Sequence, residues 1–201
     1  MSDKTGRLFV VSGPSGAGIG DVMKKTIESR EDIGFIIPVT ARKMKAGEEN
    51  GVGFYFYDLE GWDALKAEGD LLECTEFAGN DYGTSRRQVN EQTVQGKNVL
   101  LNLELSRASQ IKKNMPEAVC VFMIPQSREE LEKRYQATAR NRFEVPIRME
   151  EAQRQLEDSS FCDYIVYSDD LDAAAGELSQ IMDAESNTIA ANAKIVEELK
   201  K

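Results

Sequence analysis

A glycine-rich stretch near the start of the chain has the spacing of a phosphate-binding loop. Gly13 and Gly18 are separated as in the pattern G-x-x-x-x-G-K-[ST], behind an apolar run and ahead of a helical segment. In such loops successive backbone N–H groups approach an anion, and the helix N-terminus adds partial positive charge. The stretch therefore predicts binding of a nucleotide phosphate. The predicted loop residues are Gly13, Ser15, Gly16, Gly18, Ile19, Gly20 and Asp21.

The two side chains that perform chemistry in this pattern are missing. Ile19 stands where a lysine reaches the β- and γ-phosphates, and Gly20 stands where a hydroxyl binds Mg²⁺. Asp21 adds a carboxylate to the first helical turn, where it competes with phosphate for free N–H groups and for the helix dipole. The loop alone leaves open a second interpretation, a glycine-rich turn between strand and helix that binds nothing.

Composition and charge narrow the classes of function. The chain has 201 residues and a formal net charge of −10, which argues against binding nucleic acid or anionic membranes through its overall field. It contains no apolar run long enough for a membrane span and no signal-peptide core, so a cytoplasmic protein is expected. Histidine is absent, which excludes Ser–His and Cys–His nucleophile pairs and histidine-ligated metal sites. Phosphoryl transfer, which needs positioning and charge neutralisation, is not excluded. The three cysteines are interpreted as small hydrophobic residues without chemistry.

Apolar runs that alternate with helical spacing predict an α/β fold around the loop. Short apolar pieces between residues 34 and 84 predict a small antiparallel insert. Two later helices are joined by an arginine-bearing link at residues 139–144, and a helical tail should dock Ile189 and Val196 on the body or on a second subunit. Four apolar runs are predicted strands of a parallel sheet that is buried on both faces, at residues 8–12, 99–103, 118–124 and 164–167.

Three stretches carry a family resemblance: Ser-Gly-Pro-Ser-Gly-Ala-Gly at residues 12–18, the segment from Leu72-Glu73 to Tyr82-Gly83-Thr84-Ser85, and Asp-Asp-Leu-Asp at residues 169–172. Through them the chain resembles guanylate kinases, P-loop enzymes that transfer the γ-phosphate of ATP to GMP. The resemblance implies an α/β three-layer P-loop fold with a core parallel sheet, a small antiparallel GMP-binding insert and a helical lid. The implied parts are a core at 1–33 and 86–184, a lid at about 136–150 within it, an insert at 34–85 and a C-terminal helical tail at 185–201.

The resemblance also implies roles for individual side chains. Glu73 corresponds to the carboxylate that accepts hydrogen bonds from guanine N1–H and the exocyclic amine, and Thr84 to the hydroxyl near guanine O6. Arg42 and Tyr82 correspond to groups that hold the GMP phosphate, and Glu104 to an aspartate that positions the guanine side. The implied GMP-binding residues are Arg42, Lys45, Phe54, Glu73, Tyr82, Thr84 and Glu104. The implied catalytic arginines are Arg42, Arg134 and Arg148, with either Arg140 or Arg142 as a further lid arginine.

Departures from the family cluster on phosphate and metal chemistry. Lys45 replaces a phosphate-clamping arginine, so a two-pronged donor becomes a point charge. Phe54 replaces a tyrosine that donates to the same phosphate, and Asn102 replaces an aspartate near the Mg²⁺. Gly53 and Pro38 replace an aspartate and a serine beside that phosphate. Losing a single preorganised stabiliser of transition-state charge typically costs about 10²–10³-fold in rate.

These departures predict a guanylate kinase homologue with impaired catalysis that acts as a guanine-nucleotide-binding or interaction module. The alternative is an active guanylate kinase or a weak phosphotransferase with a non-standard loop, in which Lys24, Lys25 or a lid arginine replaces the missing lysine. The expected ligands are GMP or GDP, and ATP is expected to bind poorly. Only an active enzyme would need Mg²⁺; otherwise no cofactor is expected. A protein partner or a homodimer is a further expectation for an interaction module.

Overall fold

The structure is a computed structural model that describes residues 5–200, and within them the chain forms nine β-strands and eight α-helices. The strands are β1 (Leu8–Ser12), β2 (Ile33–Gly34), β3 (Val39–Thr40), β4 (Tyr55–Phe56), β5 (Leu71–Phe77), β6 (Asn80–Ser85), β7 (Asn98–Asn102), β8 (Val119–Ile124) and β9 (Tyr164–Tyr167). The helices are α1 (Ile19–Glu28), α2 (Leu59–Ala67), α3 (Arg86–Val94), α4 (Leu105–Asn114), α5 (Arg128–Thr138), α6 (Glu144–Asp158), α7 (Leu171–Ser186) and α8 (Ala193–Glu198), with a 3₁₀ turn at Ser159–Phe161.

Five strands form a parallel sheet in the order β2-β7-β1-β8-β9, so β1 lies at its centre. Every residue of β1 is buried, because helices cover both faces of the sheet. Phe9 and Val11 pack against α1 and α7 on one face, and Leu8 and Val10 pack against α3 and α4 on the other. The predicted parallel core is confirmed, and β2 adds an edge strand to it.

A second sheet, in the order β4-β3-β6-β5, forms the insert. Its β3–β6 and β5–β6 pairs are antiparallel, as predicted, whereas β3 and β4 run parallel. The parallel pair arises because the long connection at residues 41–54 carries the chain back to the end where β3 began. Trp62 and Leu65 of α2 pack beneath the sheet against Val39.

Side chains of α4 hold the insert to the core along β5. Asn114 Nδ2 donates to the carbonyl of Leu72 at 2.8 Å. The backbone N–H of Cys74 donates to Gln110 Oε1 at 3.1 Å. Successive parts of the insert strand are therefore tied to one helix of the core.

Helices α5 and α6, which include most of the predicted lid at about 136–150, have a small apolar core of their own with Leu131, Tyr135 and Met149. After α7 the chain turns before α8, and Ile189 is 74% exposed, so this residue of the tail stripe does not pack on the chain's own body. None of the helices in the described part of the chain is long and apolar enough to cross a membrane.

The three cysteines are free thiols, and only one of them is a fully buried hydrophobic residue. Cys120 is buried in β8, while Cys74 and Cys162 are partly exposed. The Sγ atoms of Cys120 and Cys162 lie 3.2 Å apart. The close pair forms because Asp163, the residue after Cys162, donates its N–H to the carbonyl of Cys120 as β9 joins β8.

Replacing Gly13 with alanine should destabilise the fold. A Cβ atom at Gly13 would lie 2.1 Å from the carbonyl oxygen of Met123, so the backbone of β1 or β8 has to shift. Overpacking of this kind costs about 1–3 kcal/mol. The matched control is Gly20→Ala, where a Cβ meets nothing within 4 Å and a helical residue should gain roughly 0.5–1 kcal/mol. Urea denaturation measures both, and equal stability of the two variants would contradict the close approach.

Candidate functional site

The glycine-rich loop at residues 13–18 joins the carboxyl end of the central strand to α1. Gly16 and Gly18 have φ angles of +80° and +79°, in the left-handed region that side chains disfavour. The loop closes through the N–H of Ala17, which donates to the carbonyl of Pro14 at 3.1 Å. Among the hydrogen bonds between described residues, the N–H groups of Gly16 and Gly18 find no acceptor. The loop therefore keeps donors for an anion at the head of a helix.

Ile19 begins α1 and points into the core beneath the loop. The residue is 9% exposed and belongs to the same apolar cluster as Val22 and Met23. Gly20 and Asp21 follow on the exposed side of the first turn. The loop pattern has an ammonium at position 19 and a hydroxyl at position 20. The structure has the buried aliphatic side chain of Ile19 at the first position and no side chain at the second.

Arg134, one of the predicted lid arginines, lies against the loop. Its Nη1 is 3.4 Å from the carbonyl oxygen of Gly16, and its Nη2 donates to the carbonyl of Ser168 at 2.8 Å. Its Nε donates to Glu130 at 3.0 Å, which lowers the pKa of that carboxyl. The guanidinium of Arg134 therefore faces the loop, but several acceptors already hold it.

Arg148, the second predicted lid arginine, contacts the other side of the loop. Its Nε donates to Ser15 Oγ at 3.2 Å, and its guanidinium lies 4.0 Å from the ring centre of Tyr135. The link arginines behave differently. Arg142 stacks on the ring of Phe143 at 4.9 Å. The backbone N–H of Arg140 donates to Glu144, and neither link arginine is recorded in contact with the loop within the described residues.

A pocket of about 490 Å³ opens between the insert and the core sheet. It brings together four of the residues to which the resemblance gives a GMP-binding role, and the phosphate-side positions Pro38 and Asn102. A larger cleft of about 1100 Å³ runs between the loop and the lid, and Asn102 and Glu104 line both spaces. The two spaces therefore join beside these residues. The four GMP-binding positions in the pocket wall are Phe54, Tyr82, Thr84 and Glu104.

Glu73 lies behind this pocket with a fully buried side chain. Thr84 Oγ1 donates to its Oε1 at 2.7 Å, which joins the two predicted guanine-reading groups directly. Arg107 donates to both carboxylate oxygens, from Nε at 2.6 Å and from Nη2 at 2.8 Å. A buried carboxylate needs such a partner, and Arg107 is the residue that sequence reasoning missed. The signal was its position in the first turn of α4, three residues after Glu104.

Comparisons with known proteins give the same family. The guanylate kinase family model matches residues 5–185. A guanylate kinase of Synechococcus sp. (strain CC9902) is 39% identical over 178 residues, which cover 88% of this chain and 95% of that protein. A guanylate kinase of Oceanobacillus iheyensis is 35% identical over 186 residues, which cover 92% and 90%. A crystal structure of guanylate kinase from Anaplasma phagocytophilum matches with a TM-score of 0.64 and 27% identity, over 92% of this chain and 88% of that one.

The chain belongs to the guanylate kinase family.

Within this family scaffold, Arg42 is held in an internal ion pair. Its guanidinium donates to both oxygens of Glu48, at 2.9 and 2.7 Å, and lies over the rings of Phe54 and Phe56. The Arg42 guanidinium and the backbone N–H of Lys45 lower the pKa of Glu48 to about 2. The backbone N–H of Lys45 donates to Glu48 Oε2, and Lys45 is exposed. An incoming phosphate would have to compete with Glu48 for Arg42.

The lysines that could replace the missing loop ammonium are engaged with carboxylates. Lys25 Nζ lies 2.6 Å from Asp172 Oδ1, and this hydrogen bond raises the pKa of Lys25. Lys24 Nζ lies 3.9 Å from Glu28 on the same helix. A guanylate kinase mechanism that used either lysine would first have to break these contacts.

The loop lacks the side-chain hydroxyl that binds Mg²⁺ in the loop pattern. Position 20 offers no side-chain oxygen, and the hydroxyl of Ser15 is hydrogen-bonded to Arg148. In the strand below, Asn102 offers a neutral amide. The described residues contain no group of three or more acidic, cysteine or histidine side chains that could hold a metal ion.

The Glu48 carboxyl should titrate with a pKa of about 2, below its ordinary value of 4.5. Because the pKa is lowered in the folded chain, the ion pair with Arg42 stabilises the connection at residues 41–54 fully above pH 4.5. This stabilisation is lost as the pH falls through about 2. Arg42→Ala should return the pKa towards 4.5. Lys43→Ala, which removes a neighbouring charge, should leave it low. NMR titration of the side-chain carboxyl carbon measures all three proteins, and an ordinary pKa in the unmodified chain would contradict the pair.

Proposed function

We propose that this guanylate kinase homologue binds a guanine nucleotide and is impaired in phosphoryl transfer. The observation that carries the proposal is the position of Ile19. Its side chain is buried in the core, so the loop has no ammonium for the β- and γ-phosphates.

The size of the expected impairment follows from the chemistry. Phosphoryl transfer depends almost wholly on positioning and on stabilisation of charge spread over phosphate oxygens. Each missing stabiliser costs about 10²–10³-fold in rate. The lysine and the hydroxyl are both absent, and Asp21 adds negative charge beside them. Turnover of an ordinary kinase, roughly 1–100 s⁻¹, would fall to a negligible level.

The guanine side supports ligand binding. Thr84 and Glu73 are joined by a hydrogen bond, and Phe54 and Tyr82 pack edge to face in the same pocket, with ring centres 5.7 Å apart. These contacts need no metal ion. GMP or GDP should therefore bind independently of Mg²⁺, whereas ATP should bind poorly. In an interaction role the same groove would take a segment of a protein partner.

A weak phosphotransferase is the second candidate, and the lid arginines favour it. Arg134 and Arg148 contact the loop at the carbonyl of Gly16 and the hydroxyl of Ser15. A guanidinium is always charged and binds phosphate with two donors, so either residue could partly replace the lysine. Such an enzyme would act on GMP with Mg-ATP, as its family implies.

A coupled assay for ADP formation with ATP, Mg²⁺ and GMP should show turnover several orders of magnitude below the usual range of roughly 1–100 s⁻¹. Any residual activity should be lost in Arg148→Ala, because that residue supplies a cation to the loop. Arg128→Ala, an exposed arginine at the start of α5 that does not line the cleft, is the control. Turnover near that of an ordinary kinase would refute impairment, and turnover that survives Arg148→Ala would refute the role of this arginine.

Restoring the loop should favour ATP over GMP. The triple variant Ile19→Lys, Gly20→Ser and Asp21→Thr should improve ATP binding by about 1–3 kcal/mol, because the backbone cradle is already formed. Removing the buried Ile19 side chain should cost about 1.5–3 kcal/mol of folding stability. Gly20→Ser alone is the control, since it fits without displacing atoms and adds no ammonium. Calorimetry measures both nucleotides. A folded triple variant that gains no ATP affinity, or an unmodified chain that binds Mg-ATP at micromolar Kd, would contradict this account of the loop.

A further inference from the structure

The guanine-reading carboxylate is already occupied by another part of the chain. Arg107 donates to Glu73 Oε2 from Nε at 2.6 Å and to Oε1 from Nη2 at 2.8 Å. Thr84 donates to the same Oε1. Arg107 lines the pocket, while the side chain of Glu73 is fully buried behind it. A ligand that enters this pocket meets the guanidinium before it meets the carboxylate.

The guanidinium and the guanine base present similar donors. Arginine offers two parallel N–H groups in a rigid plane, which match the two oxygens of a carboxylate. Guanine offers N1–H and an exocyclic N–H side by side along one edge. Both groups therefore need the same two oxygens of Glu73, and both cannot bind them in this geometry at once.

We propose that Arg107 is an internal substitute for the base and that a guanine nucleotide has to displace it. The inference rests on the proposed function of this pocket in guanine binding. The apparent affinity for GMP is then the intrinsic affinity multiplied by the fraction of molecules in which Glu73 is free. Arg107 sets both the strength and the selectivity of nucleotide binding in this chain.

The pocket provides a place for the displaced side chain. Glu76 and Glu104 line the same pocket wall, and Glu104 is exposed one turn before Arg107 on the chain. The guanidinium makes its two described hydrogen bonds to Glu73 alone. It can therefore exchange one carboxylate for another and keep its charge paired while the base takes its place.

The proposal predicts that deleting Arg107 changes nucleotide affinity in the direction opposite to that expected from the loss of a positive charge. Deleting a cation near a ligand that carries a phosphate should weaken binding through the lost attraction. If Arg107 competes with the base, its deletion should strengthen binding instead. The gain should depend on the base, because only guanine can present both donors to Glu73.

The test is calorimetric titration of GMP, IMP and AMP into the unmodified protein and its Arg107→Ala variant. IMP keeps the ring N1–H but lacks the exocyclic amine, and AMP lacks the N1–H. Arg107→Ala should bind GMP about 10-fold tighter or more, the factor for one charge-assisted hydrogen bond regained. The gain should be smaller for IMP and absent for AMP. Lys113→Ala removes an exposed charge from the same helix and should change none of the three affinities.

A second variant guards against misfolding, since Arg107→Ala leaves a buried carboxylate without its partner. Arg107→Lys keeps a positive charge but replaces the two-pronged donor with one ammonium. It should show a GMP gain of the same sign and smaller size. Thermal melting adds a further readout: GMP should raise the melting temperature of Arg107→Ala more than that of the unmodified protein, because ligand affinity for the folded state is greater.

The outcomes separate this inference from the proposed function. GMP binding that is measurable in the unmodified protein and equal or weaker in both Arg107 variants overturns the inference and leaves the function standing. Binding that appears only in the variants supports the inference and shows that the unmodified chain is not a GMP-binding protein. Absence of GMP binding from all of these proteins overturns both. An equal gain for GMP and AMP also overturns the inference, because it would reflect easier access and not competition for Glu73.

Discussion

The backbone of Gly13 passes so close to strand β8 that a single Cβ atom would collide with the carbonyl of Met123, at 2.1 Å. Because β1 is the central strand, this contact fixes the turn at the carboxyl end of the sheet, with α1 directly behind it. Ile19 then closes the core beneath the turn. The loop conformation is thus enforced by packing within the fold and needs no bound phosphate. The frame of the loop is therefore built from contacts that involve no side-chain ammonium or hydroxyl.

Three arginines of the candidate site are held by acceptors within the chain. Arg42 is paired with Glu48, Arg107 with Glu73, and Arg134 with Glu130 and backbone carbonyls. In an acidic protein of net charge −10 such pairing is easily satisfied, and it opposes the binding of an external anion. The predicted phosphate side and the predicted base side of the groove therefore share one property. Each presents to a ligand a positive group that already has a partner.

Local spacing in the sequence was sufficient for the parts of the structure that depend on local order. The apolar runs predicted the parallel core, and the separation of Gly13 and Gly18 predicted the loop between β1 and α1. Spacing could not predict the parallel pairing of β3 with β4, because the path of a long connection decides strand direction. It also missed the pair between Arg107 and Glu73, which lie 34 positions apart and meet only when α4 packs on the insert. Tertiary contacts, which leave no periodic pattern, determined both.

Three consecutive residues of β5 are each bound by a side chain of α4: Asn114 holds Leu72, Arg107 holds Glu73, and Gln110 holds Cys74. The central contact is ionic and the outer two are neutral. A molecule that replaced the ionic contact would leave α4 and β5 joined by the two neutral hydrogen bonds. The junction between α4 and β5 would then bend more easily and act as a hinge. If a guanine base replaces the central contact as proposed, thermodynamic reciprocity requires that a partner that bends the insert away from α4 changes the affinity for the base by the same factor as the base changes the affinity for that partner.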